Sequence, residues 1–252
     1  MKVGVIIPDR GDRPQLLRNC LRMMAAQTIL PAHLEVITNL NPDGKEGEPD
    51  ITYKYRLGYE RMSRKGVDVI AFIENDDWYA PDYLELMANE WEAANRPDLL
   101  GTAYTIYYHL KLRAHFTMKH PRRASAMNTL VKPNLAFNWP LDYDPYTDVA
   151  LWRHIEIAEC GMRNAELNSL RPITKHIWHP EERLGRHIAI GMKHGEGLCG
   201  GYNHTNKLHR FKFPDLEFEF LKKYLDAESL KFYTGMYSQT ESIRYRRNSK
   251  FP

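Results

Sequence analysis

The sequence predicts an α/β fold: a mostly parallel central sheet flanked by helices, with a C-terminal helical extension. Three observations predict it. Apolar, β-branched runs recur at residues 3–7, 34–40 and 67–73. Stretches of helical periodicity separate them, at spacings suited to strand–helix–strand units. A polar loop follows each run, and in a parallel sheet those loops gather beyond the C-terminal strand ends, where ligands bind.

The elements follow in order. Residues 3–7 are continuously apolar, as in a strand covered on both faces. After a polar loop at 8–13, "PQLLRNCLRMMAAQ" places Leu16, Leu17, Cys20, Leu21 and Met24 on one helical stripe. Asp12 is a candidate N-cap, and Pro14 sits in the first turn, where its missing N–H costs nothing. "LEVITNL" is the second strand, and a short helix is expected over 55–65. The third strand is 67–73, and Pro81 opens a helix running to about Asn95. "LLGTAYTIYYHL" and "LRAHFTM" read as strands of a hairpin or meander. Residues 147–162 place Leu151, Ile155, Ala158 and Met162 on one helical face. "ITKHIWH" reads as a strand stopped by Pro180, and residues 215–237 as one or two helices. These elements divide into a domain over 1–205, with halves 1–100 and 101–205, and an extension over 206–252.

Composition excludes several classes. With 252 residues, 43% of them hydrophobic, the chain can form one large core. Cys20, Cys160 and Cys199 are far apart, which supports neither a disulfide framework nor a cysteine zinc site. No run of 18 apolar residues and no signal-type segment is present, so a soluble, cytoplasmic protein is expected. The net charge of +3 is modest, but residues 101–141 contain no Asp or Glu. They carry Lys111, Arg113, Lys119, Arg122, Arg123 and Lys132, interleaved with aromatics such as Trp139. Such a segment either meets an anionic partner or is a solvated basic face.

The densest chemistry lies in "IENDDWYAP". Three carboxylates, Glu74, Asp76 and Asp77, follow a buried strand within four residues. Hard divalent cations such as Mg²⁺ and Mn²⁺ prefer oxygen ligands and often take one or two carboxylates plus substrate phosphates. Glu74 and Asp76, two apart on an extended strand end, point the same way. The plainer reading is a helix cap or a solvated loop.

Three segments together resemble the family-2-type glycosyltransferases of the GT-A fold, a Rossmann-like architecture. They are "VGVIIPDRGDRPQLLRNCLRMMAAQT", "VIAFIENDDWYAPDYLE", in the place of the DxD metal motif, and "TDVALWRHIEIAECGMR", in the place of the helix carrying the base. The resemblance covers roughly residues 1–165 in order and spacing. Glu74 stands where the family has the first Asp of DxD, and Thr147 where it has the Glu of an ED pair.

The resemblance implies a metal-dependent, inverting transfer from a nucleotide-sugar, a UDP-sugar foremost, to an acceptor hydroxyl. Residues 1–100 become the nucleotide-sugar half and 101–205 the acceptor half. It implies Asp148 as catalytic base, and Pro8, Asp9, Arg10, Asn39, Arg56, Asn75 and Asp76 as donor-binding residues. Mn²⁺ or Mg²⁺ would be held by Glu74 and Asp76, with His179 as a late third ligand; His176 points to the opposite strand face. Lys119, Arg122, Arg123 and Trp139 are expected on the acceptor side.

Two other classes compete. A nucleotidyltransferase would need a Gly-rich basic loop after the first strand, whereas "PDRGDRP" has one glycine and two aspartates. A non-catalytic nucleotide- or sugar-binding module would share the fold without turnover. The acceptor is open: a glycan, a protein or DNA, the last as in phage-type glucosylation of hydroxymethylated bases. The Gly-rich stretch 191–204 matches no phosphate-loop spacing and reads as a mobile loop over the donor or as an irregular surface loop.

Overall fold

The structure, a computed structural model, describes residues 1–120, 122–135, 139–152, 173–194 and 209–236. It is a mixed α/β fold with a mostly parallel central sheet flanked by helices. The chain divides into two compact units, Met1–Thr105 with Lys119–Ala189, and Ile106–Met118 with Ile190–Pro252.

The first unit begins with β1 (Val3–Pro8), α1 (Pro14–Ala25), β2 (His33–Ile37), α2 (Ile51–Ser63) and β3 (Val69–Phe72). There follow β4 (Trp78–Tyr79), α3 (Tyr83–Ala93) and β5 (Leu99–Thr102). Next in the chain come β6 (Tyr104–His109), β7 (Ala114–Lys119) and β8 (Thr129–Val131). Helical residues 147–152 form α4, followed by β9 (Lys175–Trp178), α5 (Pro180–Leu184) and β10 (Ala189–Lys193). The described chain closes with β11 (Phe213–Pro214), α6 (Glu219–Tyr224) and helical residues 227–236 (α7).

The main sheet has the order β2-β1-β3-β8-β5-β9. Strand β1 is parallel to β2 and β3, and β5 to β9, while β8 runs antiparallel to both its neighbours. Every residue of β1, β3, β5 and β8 is buried, which explains their unbroken apolar sequence. Helix α2 lies close on β1 because it presents Gly58: a Cβ there would stand 2.5 Å from Ile6 Cγ2. Beside it, the Tyr55 ring stacks on Phe72 with centroids 4.5 Å apart. This cluster also takes in Ile37, Leu99, Leu151 and Trp152.

Several boundaries differ from the sequence expectations. The second strand ends at Ile37 rather than 40, since its partner β1 ends at Pro8, paired with Ile37. The helix expected over 55–65 is α2, starting at Ile51. Residues 99–109 are not one strand of a hairpin, because β5 joins the main sheet while β6 belongs to another. Asp12 does not cap α1; it pairs with Arg10, and Arg13 holds the cap position. Residues 155, 158 and 162 of the expected helical face, and 195–204 of the Gly-rich stretch, lie outside the described residues.

In the second unit, β10 pairs in parallel with β6, Ile190 opposite Ile106, and β11 pairs antiparallel with β7. The Tyr108 hydroxyl donates to the buried Asp215 carboxylate at 3.0 Å, and His115 stacks on Phe220 at 3.8 Å.

Candidate active site

The register of β1 and β3 sets Ile6 opposite Phe72, and the Ile73 N–H donates to the Ile6 carbonyl at 3.0 Å. The segments leaving these two strands therefore emerge side by side. There the Asn75 amide donates to Asp9 at 2.5 Å, and Asp9 also accepts the Gly11 N–H at 2.9 Å. Gly11 has φ +82°, a left-handed turn suited to a residue without Cβ. Arg13 is buried beneath this turn and extends the network, donating to Asp76 at 3.0 Å and to Asn75 Oδ1 at 3.4 Å. The loop 74–77 is thus fixed from the β1 side by charge-assisted hydrogen bonds. On its far side, the Glu74 N–H donates to the Tyr79 hydroxyl at 2.8 Å.

Glu74, Asp76 and Asp77 each offer a carboxylate oxygen within 4.8 Å of the others. The concentrated negative charge is felt by two buried groups below. The Cys20 thiol is pushed well up by burial, then by Asp76, Asp77 and Asp9. The Tyr55 hydroxyl, buried with no hydrogen-bond partner, is likewise raised by burial first and then by Glu74, Asp77, Asp76 and Asp148. Tyr55 therefore marks a neighbourhood common to the strand-end carboxylates and Asp148.

Asp148 is carried into that neighbourhood by well-anchored chain. Leu151 and Trp152 enter the core, and the Trp152 indole donates to Thr129 at 3.2 Å. Thr147 is buried and hydrogen-bonded to the Thr52 hydroxyl of α2, which also donates to the Asp144 carbonyl at 2.7 Å. Asp148 is ion-paired with Arg123, its side chain 16% exposed. Burial raises its carboxyl pKa above the ordinary aspartate value, and Arg123 opposes that rise.

The remaining candidates lie as follows. Pro8 ends β1 and is buried, Arg10 is exposed beside Asp12, and Asn39 is exposed beyond β2. Arg56 makes a fork to Asp142 at 2.9 and 3.0 Å and reaches Glu60 at 3.0 Å. Trp139 packs edge-on against Tyr59 at 5.5 Å, as part of the core edge. Lys119 lies over the Tyr104 ring at 5.2 Å, Arg122 is exposed, and Arg123 serves Asp148. His179, expected as a third ligand with Glu74 and Asp76, is grouped with Glu181 and Glu182, which Pro180 and the turn into α5 bring beside it. His176 bonds Glu90 at 2.8 Å. Sequence reasoning did not single out Arg13 or Tyr55. The signal for Arg13 was its place five residues after the end of buried β1, opposite an acidic loop.

The donor set fits a hard divalent cation, being three carboxylates with oxygen ligands only. Asp148, a shielded carboxylate with raised pKa, is suited to accepting a proton.

Comparison with known proteins gives no matching family model and no matching curated protein. Among solved structures, S. aureus TarS 1–349 in complex with UDP-GlcNAc aligns at 15% identity and TM-score 0.31, over 40% of this chain and 34% of that one. The chain thus spans about a third of that TarS structure. The UDP complex of the same TarS segment aligns at 13% identity and TM-score 0.39, over 73% of this chain and 63% of that one. A glycosyltransferase involved in glycosylation of the PBCV-1 major capsid aligns at 8% identity and TM-score 0.44, over 82% of this chain and all of that one. At these values the likeness carries no statement about chemistry. No helix among the described residues is long and apolar enough to cross a membrane.

Proposed function

We propose that this protein is a glycosyltransferase that moves a sugar from a nucleotide-sugar to an acceptor hydroxyl with inversion. The observation that carries the reading is that α2 links the two acidic groups: Thr52 bonds Thr147, next to Asp148, and Tyr55 one turn on stacks on Phe72, whose strand leads into Glu74–Asp77. It unites a strand-end ligand set with a proton acceptor, and the family-2-type motifs of the sequence fall on those residues.

Glu74 and Asp76, with Asp77 in the same group, would hold Mn²⁺ or Mg²⁺, which when bound neutralises charge on a donor diphosphate. Arg13 holds the loop 74–77 in place from beneath, and Pro8, Asp9, Arg10 and Asn75 form the proposed donor side of the site. Asn39 and Arg56 belong to the same proposed side. Asp148 accepts the proton of the acceptor hydroxyl as that oxygen bonds to the anomeric carbon. The bond from that carbon to the diphosphate oxygen breaks on the opposite face, and the nucleoside diphosphate leaves. A single displacement inverts the anomeric centre.

A UDP-sugar, the donor class that the sequence motifs imply, is the first to test. Incubating the protein with UDP-sugars and Mn²⁺ should release UDP by slow hydrolysis, and Asp76→Asn should abolish that release. Donor binding without any turnover across a panel of acceptors would instead favour a non-catalytic binding module.

A further inference from the structure

His179, Glu181 and Glu182 form a second group of candidate metal ligands, sharing no residue with the strand-end carboxylates. His179 Nδ1 stands 3.5 Å from Glu182 Oε1 and 3.8 Å from Glu181 Oε1, and one ligand atom from each residue lies within 4.8 Å of the others. These separations are too long for hydrogen bonds. They are close to the roughly 3.4 Å between ligands bonded tetrahedrally to a cation at about 2.0–2.1 Å.

A second observation shows that the cluster is incomplete as a set of side chains alone. His179 Nδ1 and both Glu181 carboxylate oxygens are shielded from solvent and make no hydrogen bond. Glu181 is 17% exposed, and carboxylate oxygens so shielded normally meet a charge or a close donor, whereas His179 stands 3.8 Å away. The nearby cation does not supply one, since Arg183 is turned to Glu90 at 2.5 Å. Local structure holds the ligands in place. His179 precedes the first turn of α5, its ring set edge-on against Tyr104 at 5.3 Å, and its carbonyl accepts the Arg183 N–H at 3.2 Å. Glu182 is 66% exposed, so an ion can enter from solvent.

We propose that His179, Glu181 and Glu182 bind a divalent transition cation of the Zn²⁺ class, at a site separate from the Glu74–Asp76 group. One imidazole with two carboxylates suits such a cation better than Mg²⁺ or Ca²⁺, which favour oxygen alone. Nδ1 would be the ligating nitrogen, with the imidazole proton on Nε2. Three protein ligands leave a position open to water or to another ligand.

The test needs neither donor nor acceptor, so its failure is distinct from failure of the transferase reading. Metal-stripped protein is titrated with Co²⁺, whose visible absorption reports an ordered site, and with Zn²⁺ in competition. The intense visible bands of low-coordinate Co²⁺ should be the same in wild type and Asp76→Asn, which removes only weakly absorbing, oxygen-ligated Co²⁺ at the strand end, and Zn²⁺ should displace them. Loss of an outer-shell partner alone costs about 10- to 100-fold in affinity, so His179→Gln and Glu181→Gln should each weaken Co²⁺ by at least roughly tenfold. Circular dichroism checks that the variants remain folded; Glu182→Gln, at an exposed position, repeats the test where folding is least at risk. Absence of a spectrum in wild type overturns the proposal. So does a spectrum lost in Asp76→Asn but kept in Glu181→Gln, which would return His179 to the strand-end carboxylates.

Discussion

Arg123 holds Asp148 in an ion pair, and its charge opposes the effect of burial on the proposed base. Burial raises the Asp148 carboxyl while Arg123 lowers it. A base must be deprotonated to work, so the acidic limb of the kcat–pH profile should lie above that of an ordinary aspartate. Arg123→Ala removes the lowering influence and should move that limb to higher pH, with Arg123→Lys falling between. An unchanged limb in Arg123→Ala would mean that the pair does not tune the reacting group.

Asp148→Asn and Asp76→Asn should separate transfer from donor binding. General-base catalysis contributes about 10²- to 10⁴-fold, so Asp148→Asn should lower kcat by that order while leaving donor affinity nearly unchanged. Asp76→Asn should lose metal-dependent donor binding in calorimetry and retain its fold. If Asp148→Asn transfers at near wild-type rate, the base lies elsewhere, with Asp142 and Asp144 the first residues to test.

Gly101 in β5 should tolerate no side chain. A Cβ there would stand 2.2 Å from Ala124 Cβ, 2.8 Å from the Asn128 carbonyl and 3.0 Å from Trp152 Cζ2. Backbone on one side and an indole on the other leave little room to yield. Gly101→Ala should cost about 3 kcal/mol, at the upper end for overpacking. Gly235→Ala, where nothing lies within 4 Å of the added carbon, is the control and should be neutral or slightly stabilising. Denaturant midpoints measured side by side decide it.

What the sequence made legible follows from how local each signal was. Strands β1 and β3 stand out because burial on both faces demands apolar residues in succession. Strand β8 does not, since three residues, Thr129 to Val131, carry no period of their own and become a strand only between β3 and β5. The end of β2 was misjudged because "TNL" continues a β-like pattern, yet Leu40 is 74% exposed once β1 has turned away. In the site, the acidic loop was visible because its three carboxylates are consecutive or nearly so in the chain, directly after a buried run. Arg13 was not, because its burial depends on the register that brings Asp76 and Asn75 beside it. For His179 the strand-end position gave its place, while its nearest acidic neighbours, Glu181 and Glu182, come from the turn at Pro180 into α5.

Two buried histidines should make the fold acid-sensitive. His120 is held down to about 4 by burial, then by Arg123. His109 is held down to about 4 by burial, then by Lys111. Above the ordinary value of 6.5 both are neutral in folded and unfolded chains alike. As pH falls from 6.5 to about 4, the unfolded chain takes up protons that the folded one refuses, so stability declines. Below about 4 the folded histidines protonate too, and this contribution levels off. Tm measured from pH 8 to pH 4 should fall mainly in that window, and His120→Met should flatten part of the drop. A parallel decline in the variant would assign the acid sensitivity to other groups.

The basic stretch offers a last and sharper test, because the structure has thinned its cations. Of Lys119, Arg122 and Arg123, the last is committed to Asp148, and Lys119 lies over Tyr104 with its ammonium still at an exposed side chain. Arg122 is exposed. Two cations facing a polyanion would release about two counterions, giving a slope near −1.8 for log affinity against log salt. Binding of duplex DNA should therefore weaken only about tenfold between 50 and 200 mM salt, far less than for a dedicated DNA-binding surface. The pair Lys119→Glu with Arg122→Glu should remove that binding and leave UDP release from the donor unchanged. A much steeper slope would mean that Arg123 leaves Asp148 to join the phosphates, and Asp148→Asn should then tighten DNA binding. No gel shift even at 50 mM salt would remove DNA as the acceptor, leaving a glycan or a protein hydroxyl as the group that meets Asp148.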